Sequence, residues 1–239
     1  MIELNTFSIV ARCPRSGMMG VSVATAMPAV GSNCPFARAG VGAIATQSWV
    51  NPYLGIDGIR LLEAGQSAEA VLRLLLAEDP RSDLRQIGIV DSEHRSAVHS
   101  GAGCTPWFGH RAGHGYSVQG NMLTGPAVID AMEATFLATS AATLPERLMA
   151  ALEAGQGEGG DRRGKQSAAL YVVWSEDYPY VDLRVDEHVE PVAELRRVFE
   201  VAKRQLLPFV ETFPTRNDPH GRDDPAVSAM VSEEPARRS

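Results

Sequence analysis

The densest run of chemistry-bearing side chains in the sequence is Gly159-Gly160-Asp161-Arg162-Arg163-Gly164-Lys165-Gln166-Ser167. Its glycines free the backbone dihedrals, and it stands immediately before the apolar run SAALYVVW at 167–174. A charged loop feeding a core strand suits the wall of a binding site, with Asp161, Arg162, Gln166 and Ser167 as contacts; it also suits a solvated turn. Gln119 and Asn121 carry neutral amides able to orient a substrate amide. Gln47, Ser48 and Asn51 follow a strand-like stretch whose end can offer backbone N–H groups to an oxyanion. Each of these also reads as an ordinary loop hydrogen-bonder. Cys104, His110 and His114 lie close together, and the two histidines are four apart. Gly109, Gly113 and Gly115 make that segment non-helical, so the two imidazoles share no helical face and no metal is expected. There is no phosphate loop or dinucleotide fingerprint, because the Gly-rich loop precedes a strand and not a helix, and no cofactor is expected.

The elements that must position these groups follow from periodicity and punctuation. The β-rich TFSIVA at 6–11 breaks at Cys13-Pro14-Arg15-Ser16-Gly17, and GVSVAT at 20–25 forms a second strand. A connection rich in Pro, Gly and Asn leads to a third strand, GVGAIATQ at 40–47. Helices are expected at 56–64, closed by Gly65, and at 68–77 behind the N-cap Ser67. Residues 86–91 and 96–99 read as a hairpin, and 115–119 as a further strand. A second helix pair covers 127–138 and 147–154, the latter opened by a capping box from Thr143 to Glu146. Strands at 167–174 and 180–185 precede an amphipathic helix at 191–207. Antiparallel groups of strands separated by helix pairs exclude an alternating doubly wound fold. They favour an α+β, four-layer αββα sandwich with two stacked antiparallel sheets between helix layers. One domain over 1–213 and a disordered tail over 214–239, rich in Pro, Asp, Glu and Arg, are expected.

The 239 residues are 44% hydrophobic, enough for a sizeable core. A formal net charge of −7 disfavours a phosphate-backbone partner, so no nucleic acid is expected. Three cysteines form no disulfide framework and fit a reducing compartment. No basic region followed by an apolar run opens the chain, and no stretch of about 18 apolar residues spans a membrane, so a cytoplasmic location is expected.

Several segments together carry a resemblance: Thr6-Phe7-Ser8-Ile9-Val10-Ala11, Arg38-Ala39-Gly40-Val41-Gly42-Ala43, Ala45-Thr46-Gln47, Gly101-Ala102-Gly103-Cys104, Gln119-Gly120-Asn121, and the stretch from Gly160 to Leu170. The chain resembles the domain-of-unknown-function 1028 family over roughly residues 5–205. That resemblance implies a fold like that of the N-terminal-nucleophile hydrolases. It implies Thr6 as the nucleophile, with its own α-amine, titrating near about 7.7–8.0, as general base. Arg38, placed before the third strand, matches a cation that follows the nucleophile in related threonine-dependent hydrolases; it would clamp an anion or a substrate carboxylate. With Gln47 these are the expected catalytic residues, with Asn51, Gln119, Asn121, Asp161, Arg162, Gln166 and Ser167 around the substrate; pairing of the first and third strands in one sheet is expected to bring Thr6 and Arg38 together. Five residues precede Thr6. Either the Asn5–Thr6 bond is cut, the natural start lies nearer Thr6, or the site is inactive. Two functions stand open: an amidohydrolase acting on a small amide, lactam or short peptide, and a small-molecule-binding protein that keeps the sandwich without self-processing. A homo-oligomer is expected by analogy.

Overall fold

The computed structural model describes residues 3–4 and 6–232. Its strands are β1 (Glu3–Leu4), β2 (Thr6–Arg12), β3 (Met19–Thr25), β4 (Pro35–Arg38), β5 (Gly42–Trp49), β6 (Arg85–Asp91), β7 (Ser96–Ser100), β8 (Gly109–Gly113), β9 (Tyr116–Gly120), β10 (Ser167–Val173) and β11 (Pro179–Val185). The helices of the sandwich are α1 (Pro52–Glu63), α2 (Ala68–Glu78), α3 (Ala127–Ala138) and α4 (Leu144–Gly157), followed by α5 (Pro191–Gln205), α6 (Leu207–Val210) and α7 (Pro225–Ser232). The chain forms two compact units, residues 1–196 and 197–239, divided within α5. In the second unit, α7 lies in the segment from Pro214 read from the sequence as a tail; residues 233–239 of that segment lie outside the described residues.

In the first unit every strand pairing is antiparallel. One sheet runs β11-β10-β3-β2-β9-β8; the other runs β5-β6-β7, with β4 and β1 both on the outer edge of β5. β4 pairs with its first half (Pro35↔Ala45) and β1 with its end (Leu4↔Ser48). The two sheets face each other, with α3 and α4 covering the first and α1 and α2 the second. This is the expected αββα order. A strand in such a stack is covered on both faces, so hydrophobicity does not alternate along it. Phe7 and Ile9 point to the α4 side, whereas Val10 joins Met19, Val21, Val23, Ala43, Ala45 and Val90 between the sheets. Ile44, Ile87 and Ile89 pack outward onto Leu54, Leu62, Val71 and Leu75 of the first helix pair.

Several local expectations are corrected. β4 falls in the stretch read as an irregular connection; it is an edge strand, where a leading Pro costs no ladder bond. β8 was missed because its Gly109-His110-Arg111-Ala112-Gly113 has neither β-branched residues nor an apolar face, and pairing with β9 holds it. α1 begins at Pro52, four residues earlier than read, because the Asn51 side chain accepts from Tyr53 N at 3.2 Å and Pro occupies the first turn. Thr143 makes no side-chain cap bond on α4. Its supposed partner Glu146 instead accepts from Arg196 Nη1 at 2.6 Å, so the capping box does not form. The largest correction concerns register in space. The first and third expected strands, β2 and β5, lie in different sheets and meet face to face.

Candidate functional site

Between the sheets the side chains divide along the strands. The half near Val10 and Val21 is aliphatic, and the half near Thr6 is polar: Thr6, Ser8, Thr25, Gln47, Gln86, Gln119 and Asn121 are buried there, with Ser117 at the border opposite Val10. Burying this many hydroxyls and amides inside a sandwich is costly unless they satisfy one another, so each bond in the set matters.

Alternation places them. Thr6 and Ser8 share the inward face of β2, Ser117 and Gln119 that of β9, Gln86 and Gly88 that of β6, and Gln47 that of β5. Gln119 Nε2 donates to Ser8 Oγ at 2.7 Å, and Ser8 Oγ donates to Gln47 Oε1 at 2.6 Å. Gln47 Nε2 donates to the Thr6 carbonyl at 3.1 Å and to Gln86 Oε1 at 2.8 Å. The Thr6 carbonyl receives a second bond, from the Asn121 backbone N–H at 3.0 Å. Asn121 Nδ2 donates to Gln86 Oε1 at 2.9 Å. Gln86 Nε2 donates to Gly120 O at 2.8 Å and to Ser100 Oγ at 2.7 Å, and that hydroxyl lies 3.0 Å from His110 Nδ1. Burial holds the His110 pKa below its ordinary value, with the nearby His99 and Arg111 adding to the effect. At the head of β2, Thr6 Oγ1 is 3.4 Å from Thr25 Oγ1. The groups that reach Thr6 among the described residues are therefore hydroxyls, amides and backbone, with no charge.

Two atoms of this layer, Gln119 Oε1 and Ser117 Oγ, are buried without a hydrogen-bond partner. Both face Gly88, where a Cβ would stand 2.7 Å from Gln119 Cδ and nearer still to those two oxygens. Ser48, next to Gln47, has φ 69° and a buried, unpartnered Oγ. A non-glycine residue in that region is strained, a feature that concentrates near functional sites.

The loop 161–167 lies on the same side of the fold as Thr6. Thr25 pairs with Thr6 on one edge and with Ser167 on the other, so Thr6 and Ser167 are two strand spacings, about 10 Å, apart. Asp161 and Ser167 are buried and spent on holding the chain. Asp161 accepts from Ala26 N (3.0 Å) and from Arg163 N (2.9 Å) and Nη2 (3.0 Å). Ser167 Oγ donates to Met27 O at 2.6 Å and accepts from Val30 N. The Gln166 N–H donates to Thr25 O, and Arg162, exposed, donates its backbone N–H to Met122 O. These residues shape the rim beside β3.

Two expected site residues lie elsewhere. Arg38 pairs with Gly42 at the far end of β5 from Gln47, five residues or about 17 Å along the strand. It is half exposed and forms a surface ion pair with Glu63 at 2.9 Å. The expectation that it stands by Thr6 assumed that β2 and β5 pair in one sheet, which they do not. Asn51 caps α1 and donates to Asp79 Oδ2 at 3.2 Å, a structural post. Burial opposes the charge of Asp79, but bonds from Arg85, the Arg81 N–H and Asn51, with the Arg85 charge, outweigh it and hold its carboxyl below the usual range. Ser8, Thr25, Gln86 and Ser100 were not singled out from the sequence. The signal that finds Ser8 is polar residues two apart in an otherwise apolar strand buried on both faces, as Thr6 and Ser8 are; Gln86 and Thr25 carry no such signal.

The solved structure of protein SPO2555 from Silicibacter pomeroyi, itself a DUF1028 protein, is similar to this chain with a TM-score of 0.83 and 27% identity, covering 92% of this chain and 100% of that one. A search of curated proteins returns no match. The family model described as a family of unknown function, DUF1028, matches residues 6–195, which takes in the whole sandwich and the polar layer within it, and the chain belongs to that family.

Proposed function

We propose that the protein is an amidohydrolase of the N-terminal-nucleophile type, acting on a small amide, lactam or short peptide through Thr6. The observation that carries this reading is the uncharged polar layer centred on the head of β2. A threonine hydroxyl needs a base, and the groups around Thr6 are amides and hydroxyls. The base that suits such a place is the α-amine of Thr6 itself, released by cutting the Asn5–Thr6 bond. With its pKa near about 7.7–8.0 it takes the hydroxyl proton as Oγ1 attacks the substrate carbonyl. It returns that proton to the leaving amine, and water then hydrolyses the ester on Thr6. Arg38 has no part in this chemistry, and the rim formed by Asp161, Arg163 and Ser167 bounds the substrate. The reading goes with a cytoplasmic enzyme that has no metal or cofactor and assembles as a homo-oligomer. Three free, buried cysteines fit that compartment, and no helix among the described residues is long and apolar enough to cross a membrane.

A specific observation favours the second reading, a binding protein without self-processing. In the uncut chain β1 pairs with β5 in the sheet opposite β2, which ties the leader into the fold. Intact-mass analysis of the purified protein separates the two. Loss of residues 1–5 in the wild type, and its absence in Thr6→Ala, supports the enzyme. A full-length mass after prolonged incubation at neutral pH, with no turnover of an amide and lactam panel, supports the binder.

A further inference from the structure

Most of the polar layer can be assigned to holding Thr6, but one member stands apart. Gln86 has no hydrogen bond to Thr6 or the rim among the described residues, yet it bonds to two other amides of the layer, those of Gln47 and Asn121. Its Oε1 accepts from Gln47 Nε2 and Asn121 Nδ2 at 2.8 and 2.9 Å. These bonds orient the two residues that donate to the Thr6 carbonyl, Gln47 through its side chain and Asn121 through its backbone. Its Nε2 is committed to Gly120 O and Ser100 Oγ. The carboxamide therefore cannot turn over. A flip would set its N–H groups against those of Gln47 and Asn121 and its carbonyl against Gly120 O. Its place in β6 lets it join the two sheets, since Gln47 and Ser100 belong to one and Gly120 to the other, with Asn121 directly after it.

We propose that Gln86 is the positioning residue of this site, setting the Gln47 and Asn121 amides that fix the Thr6 backbone and so aiming Oγ1; the proposal rests on the reading of Thr6 as nucleophile. Displacing an aligned nucleophile by about 1 Å can cost about 100-fold in rate. A methionine at this position keeps the length and volume and removes both the acceptor and the donor. A glutamate keeps the acceptor and, when ionised, loses the donor. Once protonated it has one C=O to accept from Gln47 and Asn121 and one O–H to donate to Ser100, so acid restores the missing half. Burial raises the pKa of such a carboxyl, placing this recovery in an accessible range.

The test uses the protein produced from the full sequence, wild type and variants compared in the form cut before Thr6 as read by intact mass, and an aliphatic β-lactone. The Thr6 oxygen acylates on the ring carbonyl, the ring C–O bond opens, and the proton ends on the released oxygen, so the adduct is read by intact mass. In parallel, NMR reads hydrogen exchange of the Gln47 and Asn121 side-chain amides. Gln86→Met is expected to fold, to label at least 10-fold more slowly than wild type, and to exchange those amides at least 10-fold faster. Labelling at the wild-type rate in folded Gln86→Met overturns the proposal. Should Gln86→Met not fold, Gln86→Glu decides. Its labelling rate relative to wild type is expected to rise at least 5-fold from pH 8 to pH 5.5, a recovery that lost packing would not produce, and a flat ratio overturns the proposal. If the wild type itself does not label, the nucleophile reading fails separately. The positioning role is then judged on amide exchange alone, where acceleration in Gln86→Met upholds it and unchanged exchange refutes it.

Discussion

Gly88→Ala is the sharpest test of the polar layer, because the cost can be built up from named contacts. The new Cβ would stand 2.7 Å from Gln119 Cδ, about 1 Å inside an ordinary carbon contact, and closer to Gln119 Oε1 and Ser117 Oγ. Overpacking of this kind costs about 2 kcal/mol. Ser117 Oγ has no partner to lose, but Gln119 must move, and its bond to Ser8 weakens, adding about 1 kcal/mol. Removing a glycine from the unfolded chain returns about 0.7 kcal/mol. The net loss is about 2 kcal/mol, or roughly 4–8 °C in Tm for a unit of this size. Differential scanning calorimetry on wild type and Gly88→Ala measures it. Adding Ser117→Ala removes one of the two clashing oxygens and is expected to restore part of the loss. A Gly88→Ala protein within 1 °C of wild type, or a double variant less stable than the single one, would show that the sheets have room at Gly88 and that the close packing described there is wrong.

Other outcomes follow from the surrounding groups. Burial, then Arg12 and His114, lower the pKa of His94 from 6.5, and burial lowers that of His110. The unfolded chain therefore binds protons first as pH falls, so stability is complete above about pH 6.5 and declines below it. Tm is expected to drop from pH 7.5 to pH 5.5, and less so in His94→Gln; a Tm that rises over this range contradicts the assignment. Asp79→Asn strips the buried Arg85, 2.8 Å away, of its counter-charge, for a loss of about 3 kcal/mol in urea unfolding, whereas a loss under about 1 kcal/mol would mean that Arg85 finds another partner. Arg38→Ala breaks only the half-exposed pair with Glu63, worth about 0.5 kcal/mol or less. It is expected to leave both Tm and β-lactone labelling of Thr6 unchanged, and a large fall in labelling would restore Arg38 to the site.

Much of the architecture was legible because it depends on local chemistry. Ser67 accepts from Ala70 N at 3.2 Å as the N-cap of α2, and Gly65, at φ 86°, follows the end of α1 as a left-handed residue. Grouped strands between helix pairs pointed to the layered sandwich. Edge strands were harder. β4 and β8 owe their form to pairing with β5 and β9 and carry little β-propensity of their own. The site was half legible. Thr6, Gln47, Gln119 and Asn121, all singled out in the sequence, lie together in the polar layer, while Gln86 reads in sequence as the plain start of an apolar strand, and Arg38 belongs to the opposite end of its sheet.

By itself the sequence determined most of the strands and helices, the edge strands β4 and β8 apart, since caps, turns and side-chain periodicity act within a few residues. It also determined that Thr6 heads a buried strand and that polar groups punctuate the apolar runs. Only the tertiary structure decided that β2 and β5 face each other from separate sheets. The physical reason is that strands buried on both faces carry no alternation to say which sheet they join or which of their ends meet. That choice emerges from packing the sheets together, and it brings Ser8 to Gln47 and Asn121 to Gln86 while carrying Arg38 away.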